Sequence, residues 1–130
     1  MSDETEDLSI SDAEFIDLTR KNVFDVIDLW ASKEKQRELQ KNVPVAQGTA
    51  EIVFQWYENY FPDSADFKQA FEKEELKLLS DFDKALNETV KKSHQDFPLI
   101  EEFFETTEWI EMNKKAIEIK KQLDTLANKE

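Results

Sequence analysis

Apolar residues recur at helical spacing between Glu74 and Ser93, and this pattern constrains the fold more than any other feature of the sequence. Its members are separated by three or four residues: Leu76, Leu79, Phe82, Leu86 and Val90. Such spacing places the side chains along one side of a helix. A strand is conceivable only over residues 51–57, but the apolar residues there do not alternate and no second strand-like segment could pair with it. The chain is therefore predicted to be all-α.

Capping residues indicate where further helices begin. Ser11 and Glu14 fit a capping box at the start of a first helix, whose apolar residues cover more than half of its circumference. Thr49 and Thr107 are the predicted N-caps of two later helices. Short helical pieces are predicted over two stretches, 67–71 and 96–105. Together these signals predict a single-domain irregular helical bundle of about four long helices plus one or two short ones.

The first ten residues differ in composition from the rest of the chain. Residues 1–10 are acidic and lack aromatic side chains, so we expect a disordered acidic tail followed by a single α-helical domain over 11–130. They contain neither the basic start nor the apolar stretch of a secretory signal. No apolar run approaches the length that spans a membrane. We therefore expect a cytoplasmic protein that does not associate with membranes.

Three scarce residue types exclude most familiar active sites. The chain has one glycine, no cysteine and one histidine, His94. Phosphate-binding loops, dinucleotide fingerprints and nucleophile elbows each need several glycines, and the usual zinc sites need cysteine or several histidines. His94 has no recognisable catalytic partner in the sequence, so we expect it to cap a helix or lie in solvent. No catalytic residue and no cofactor is predicted.

Carboxylate pairs leave one enzymatic alternative open. Glutamates spaced by three on a helix can hold Mg²⁺, and the pairs at this spacing include Glu72/Glu75, Glu102/Glu105 and Glu108/Glu111. Because 30 of the 130 residues are acidic, pairs at this spacing arise by chance, and solvated helix faces explain them as well. No metal ligand is therefore predicted, and a carboxylate-dependent Mg²⁺ or Mn²⁺ nucleotide hydrolase is kept as the alternative function.

The chain has a net charge of −13, but one segment carries more basic than acidic residues. Residues 32–42, which either continue the first helix or form a short second one, carry Lys33, Arg37 and Lys41 on one helical face. Duplex nucleic acid is nevertheless an unfavourable partner, because the overall charge is strongly negative and this face has no interleaved aromatics on which bases could stack.

Two segments combine aromatic and acidic residues in a way that fits a surface for a basic protein. Residues 96–111 contain six acidic and no basic residues, and residues 54–71 contain seven of the fifteen aromatics. Most of these aromatics are expected in the core of so small a chain, but tyrosine hydroxyls favour a wet edge. The predicted partner-binding residues are Tyr57, Tyr60, Glu102, Glu105 and Glu108. The predicted function is a non-enzymatic acidic module that binds a basic protein.

Two short stretches resemble the small acidic, all-α immunity proteins of nuclease bacteriocins. Leu8 to Phe15 (LSISDAEF) resembles their acidic first-helix start, and Tyr57 to Asp63 (YENYFPD) resembles their Tyr-Tyr-Pro segment. The chain is longer than those proteins and does not continue their pattern after the aromatic segment, so no family is assigned. The resemblance implies, as a special case of the predicted function, an inhibitor of a basic toxin. A homodimer formed through the wide apolar faces of the first and last helices is the remaining alternative.

Overall fold

Seven α-helices make up the computed structural model, which describes residues 12–43, 48–93 and 99–128 and contains no strand within them. In chain order the helices are α1 (Asp12–Ala31), α2 (Lys33–Gln40), α3 (Gly48–Tyr57), α4 (Ala65–Gln69), α5 (Lys73–Ser93), α6 (Ile100–Phe103) and α7 (Thr107–Asn128). The predicted all-α bundle is therefore confirmed. Four predictions concern residues outside the described ranges: the tail over 1–10, the Ser11 cap, the role of His94, and the segment 96–98.

The bundle is organised around α7, which packs along both α1 and α5. Asn113 donates a hydrogen bond of 2.9 Å to the Trp30 carbonyl near the end of α1, whereas Leu123 and Ala127 lie beside Arg20 in its first half. The two helices therefore run antiparallel. The shorter helices α2 and α3 pack against α1 and against each other, and α6 contacts both of them.

Side chains at helical spacing supply the core, as predicted for α5. Leu79, Phe82 and Leu86 are fully buried. The broad apolar face predicted for α1 is only half correct, because its second half is buried while Phe15 and Leu18 are 36% and 50% exposed. In this first half Ile16 and Arg20, which lie beside residues 69–72 and the end of α7, are half-buried.

Two predicted N-caps are wrong, because each lies within the first turn of its helix rather than before it. Helix α3 already begins at Gly48, so Thr49 lies buried in its first turn. A side chain at position 48 would meet the end of the Gln40 side chain, which would have to move aside to admit it. At α7 the Trp109 N–H donates to Thr106 Oγ1 at 3.1 Å, so Thr106 rather than Thr107 is the cap.

The short and charged helices also have defined starts. Ser32 Oγ accepts the Lys35 N–H at 3.2 Å, which separates α2 from α1 as a helix of its own. Ser64 Oγ accepts the Phe67 N–H at 3.3 Å, so α4 begins two residues earlier than the sequence predicted. None of the described helices is both long enough and apolar enough to cross a lipid bilayer.

Candidate functional site

Three aromatic side chains project from α3 and the turn that follows it. Phe54, Tyr57 and Phe61 are 50%, 39% and 52% exposed. Phe54 and Tyr57 share one side of the helix because they are three residues apart. The Tyr60 N–H donates to the Trp56 carbonyl at 2.9 Å, so the helical winding continues past the end of α3, and Phe61 follows directly after it. We call these three residues the aromatic face.

The opposite side of α3 is anchored in the core. Trp56 is fully buried, stacks on Tyr60 with ring centroids 4.7 Å apart, and packs against Phe82 at 4.5 Å. Tyr60 is half-buried and meets the ring of Phe67 edge-on at 5.5 Å. The predicted position at a solvent-exposed edge therefore applies chiefly to Tyr57, whereas Tyr60 packs against the buried side of the segment.

A hydrogen-bond network fixes the aromatic face to α5. The Trp56 Nε1–H donates to Asp83 Oδ1 at 2.9 Å, and the Asn87 Nδ2–H donates to Asp83 Oδ2 at 3.2 Å. The Tyr57 hydroxyl donates to Asn87 Oδ1. Asp83 is half-buried, and none of its contacts with the described residues is to a basic side chain. Neutral donors alone therefore hold this carboxylate.

Both tyrosine hydroxyls ionise less readily than a solvated one. Burial and the negative charge of Asp83 raise the pKa of Tyr57. Burial and Asp83 likewise raise the pKa of Tyr60, with a further increase from Asp63 and an opposing hydrogen bond with Ser80. Deprotonation would place a second negative charge near an existing carboxylate in a partly desolvated position, which is unfavourable.

An absorbance titration of tyrosinate tests this arrangement without interference, because the chain contains only two tyrosines. We expect both groups to ionise above their ordinary pKa of 10.0. The variant Asp83→Asn should lower both pKa values but leave them raised, since burial persists. Glu118→Gln, which neutralises an exposed carboxylate on α7, should leave them unchanged. Identical titrations for wild type and Asp83→Asn would contradict the placement of Asp83.

The sequence around the aromatic face is one-sidedly acidic. Residues 48–67 contain four carboxylates and no lysine or arginine. Three of these carboxylates are exposed: Glu58, Asp63 and Asp66. A cationic partner approaching the aromatic face therefore meets negative charge without a local basic competitor from this segment.

The three predicted glutamates belong to α6, to the residues that follow it and to the start of α7. The Glu102 carboxylate accepts the Leu99 N–H at 3.3 Å and so caps α6. Glu105 is exposed after α6, and Glu108 is half-buried in the first turn of α7. Among the described residues, no hydrogen bond, ion pair or ring contact joins these glutamates to Tyr57 or Tyr60. None of the three glutamates is therefore in direct contact with either tyrosine.

Basic side chains of α2 make contacts within the protein. One of them pairs with Glu101, the residue directly before Glu102. Arg37 donates two hydrogen bonds to Glu101, at 2.8 and 3.0 Å, and lies 5.1 Å over the ring of Phe104. The Arg37 hydrogen bond lowers the pKa of Glu101. Lys33 lies 5.5 Å from the ring of Phe104 and 5.2 Å from that of Trp109. These cations offset negative charge near α6, which weakens the attraction of that region for a basic partner.

Two of the carboxylates considered as metal ligands, Glu75 and Glu102, have other roles. Glu75 receives two hydrogen bonds from Arg20 and one from the Glu72 N–H. Glu102 caps α6, as described above. Within 12–43, 48–93 and 99–128, no group of three or more His, Cys, Asp or Glu side chains is arranged to hold a metal ion.

Four residues of the site were not among the predicted partner-binding residues: Phe54, Phe61, Asp83 and Asn87. A signal for two of them was present, because α3 carries apolar residues on opposite sides and a small bundle cannot bury both. Four of the exposed large apolar residues in the described ranges are aromatic, and three of these four belong to the aromatic face.

The chain matches no known protein family, no characterised protein and no solved structure.

Proposed function

We propose that the protein is a non-enzymatic, cytoplasmic, acidic module that binds a basic protein through the aromatic face. One observation carries the proposal: three large aromatic side chains are exposed together in a segment that contains four carboxylates and no lysine or arginine. Several large apolar side chains exposed within one short segment commonly mark an interaction site. Glu102, Glu105 and Glu108 lie outside the face and contribute through long-range attraction only.

Aromatic anchors supply most of the affinity in this proposal. Covering the exposed part of each ring gains about 1 to 2 kcal/mol from the removal of apolar surface from water. Tyrosine and other aromatics are enriched among residues whose truncation weakens protein interfaces strongly. Because Trp56 and the Asp83 network already hold Tyr57 in place, little side-chain freedom is lost on binding.

Charge selects the partner in this proposal. The net charge of −13 and the four carboxylates of residues 48–67 attract a basic protein over long distances and repel an acidic one. Such attraction mainly accelerates association and is screened by salt. A partner bound in this way dissociates more readily as the salt concentration rises.

The double variant Phe54→Ser/Phe61→Ser tests the aromatic anchors. We expect it to bind the basic partner about 30-fold more weakly, which corresponds to about 2 kcal/mol. Its thermal stability should stay close to that of the wild type, because both side chains are half exposed. The measurement is quantitative capture from a native lysate, followed by a binding titration with the purified partner.

The matched control is Phe15→Ser/Leu18→Ser, which removes two exposed apolar side chains from α1. This variant should retain the partner fully. Equal retention of the partner by both double variants would contradict the proposal. If reversal of Glu102, Glu105 and Glu108 to lysine abolished capture while Phe54→Ser/Phe61→Ser did not, the binding site would lie on α6 and α7 instead.

A further inference from the structure

The chain contains only two arginines, and the structure holds both in the same way. Arg20 donates two hydrogen bonds to the Glu75 carboxylate, at 2.7 and 2.8 Å. Its guanidinium lies 5.0 Å from the ring of Phe24 and 5.5 Å from that of Phe71. The carboxylate accepts hydrogen bonds from the N–H groups in the plane of the guanidinium, and the aromatic rings pack near its flat face.

Arg37 repeats this arrangement with different partners. As described above, it donates two hydrogen bonds to Glu101 and lies over the ring of Phe104. The pair is exposed, whereas Glu75 in the first pair is buried. The combination of one carboxylate with an aromatic ring is therefore the recurring environment for a guanidinium in this fold, on the surface as well as inside.

A third carboxylate with neighbouring aromatic rings stands beside the aromatic face. Asp83 touches Trp56 directly and is linked to the Tyr57 hydroxyl through Asn87. Two other shielded carboxylates have cations: Glu75 pairs with Arg20, and Asp28 pairs with Lys120 at 3.1 Å. Asp83 instead receives only neutral donors from the described residues, and these use two of the roughly four acceptor positions of a carboxylate.

We infer that Asp83 and the ring of Tyr57 form a seat for one arginine side chain of the basic partner. The inference rests on the proposed function, and it names the side chain that this surface recognises. An arginine seated there would direct its donors to the free acceptor positions of Asp83 and place its flat face against the exposed ring. Arginine fits better than lysine, because an ammonium group is a strongly hydrated point charge without a planar fork.

Asn87 is a positioning residue in this seat. Its amide group accepts from the Tyr57 hydroxyl and donates to Asp83, so it sets the ring and the carboxylate relative to each other before any partner arrives. The indole N–H of Trp56 fixes the other carboxylate oxygen. Both contacts reduce the ordering that binding would otherwise require.

Two blocked peptides that differ at one position provide the probe. Both carry a single variable residue flanked by leucines, which is arginine in one peptide and its neutral isostere citrulline in the other. Binding to the isotopically labelled full chain is followed by the backbone amide signals of the aromatic face and by the indole N–H signal of Trp56. We expect the arginine peptide to shift the Trp56 signal and to bind about tenfold more tightly, which corresponds to about 1.4 kcal/mol.

Variants and a lysine peptide complete the test. Asp83→Asn should bind the arginine and citrulline peptides equally, while Glu118→Gln on α7 should retain the tenfold difference. The comparison of peptides on the wild-type chain needs no variant and so remains decisive if Asp83→Asn folds poorly. A lysine peptide that bound as tightly as the arginine peptide would overturn the preference for a guanidinium.

The remaining outcomes separate this inference from the proposed function. If both peptides bound equally and shifted the amide signals of Phe54, Tyr57 and Phe61, the arginine seat would be wrong while binding at the aromatic face would stand. If the arginine peptide shifted only signals around Glu102, Glu105 and Glu108, both proposals would be wrong. The absence of any shift with either peptide would overturn the arginine seat.

Discussion

Replacing Arg20 by methionine is expected to lower the free energy of unfolding by about 3 to 5 kcal/mol, because it leaves a buried carboxylate without its cation. The side chain of Glu75 is 4% exposed and receives two hydrogen bonds from Arg20. Arg20 also donates to the Ala70 carbonyl at 2.9 Å, so the pair ties α1 to the start of α5. Methionine keeps the apolar stem of the side chain but none of these donors. Urea unfolding of both proteins measures the difference.

The pH dependence of stability should change with this substitution. Burial by itself would raise the pKa of Glu75, but the hydrogen bonds from Arg20 and the Glu72 N–H, with the charge of Arg20, lower it overall. A carboxyl whose folded-state pKa lies below its ordinary value of 4.5 stabilises the fold above that pH. This contribution is lost as the pH falls through the folded-state pKa. Without Arg20, burial raises the pKa of Glu75. In Arg20→Met, protonation of Glu75 at lower pH should therefore remove an unfavourable buried charge and reduce the loss of stability.

The double variant Arg20→Met/Glu75→Gln separates the ion pair from general damage to packing. Because the buried charge is removed together with its partner, most of the lost stability should return. Glutamine also keeps an oxygen that can accept the Glu72 N–H. An Arg20→Met protein as stable as the wild type, or a double variant less stable than Arg20→Met, would contradict the role assigned to this pair.

Phe82→Ala is expected to destabilise the protein by about 3 to 5 kcal/mol, through lost apolar burial and the cavity left behind. Phe82 is fully buried on α5 and packs against Trp56, which itself supports the aromatic face. Since small domains are stable by only about 5 to 15 kcal/mol, this variant should unfold at much lower urea concentration.

Phe82→Leu is the matched control, because it keeps an apolar side chain and should cost less than about 1.5 kcal/mol if the core repacks. Thermal and urea unfolding of both variants measure the difference. The titration of Tyr57 and Tyr60 should move towards ordinary values in Phe82→Ala, since both rings lose part of their support. A Phe82→Ala protein no less stable than Phe82→Leu would contradict the assignment of Phe82 to the core.

Local sequence patterns predicted the helices well where one side of the helix is buried along its whole length. The spacing of Leu79, Phe82 and Leu86 predicted α5 to within one residue at its start. The same reasoning overestimated the buried face of α1, because periodicity shows which side is apolar but not how far neighbouring helices extend over it. Phe15 and Leu18 are exposed for this reason.

The candidate site depended on contacts that no local pattern contains. The sequence singled out Tyr57 correctly as a side chain at a wet edge, yet Asp83 reaches the same place from a helix 26 residues further along the chain. Arg37 and Glu101, which are 64 residues apart, meet through packing of α2 against α6 and neutralise each other. A tally of charges along the sequence cannot reveal such pairing, so it counts Glu101 as a free negative charge although Arg37 pairs with it.

Site-specific photo-crosslinking tests most directly whether the aromatic face binds a basic protein. A photoreactive phenylalanine analogue is placed at position 54 or 61, and at position 110 as a control, because Ile110 on α7 is exposed to a similar degree. We predict that positions 54 and 61 form adducts with a basic protein, that the yield falls as salt is raised, and that position 110 forms none. Equal adducts from position 110, or adducts only with a second copy of this chain, would contradict the proposed function.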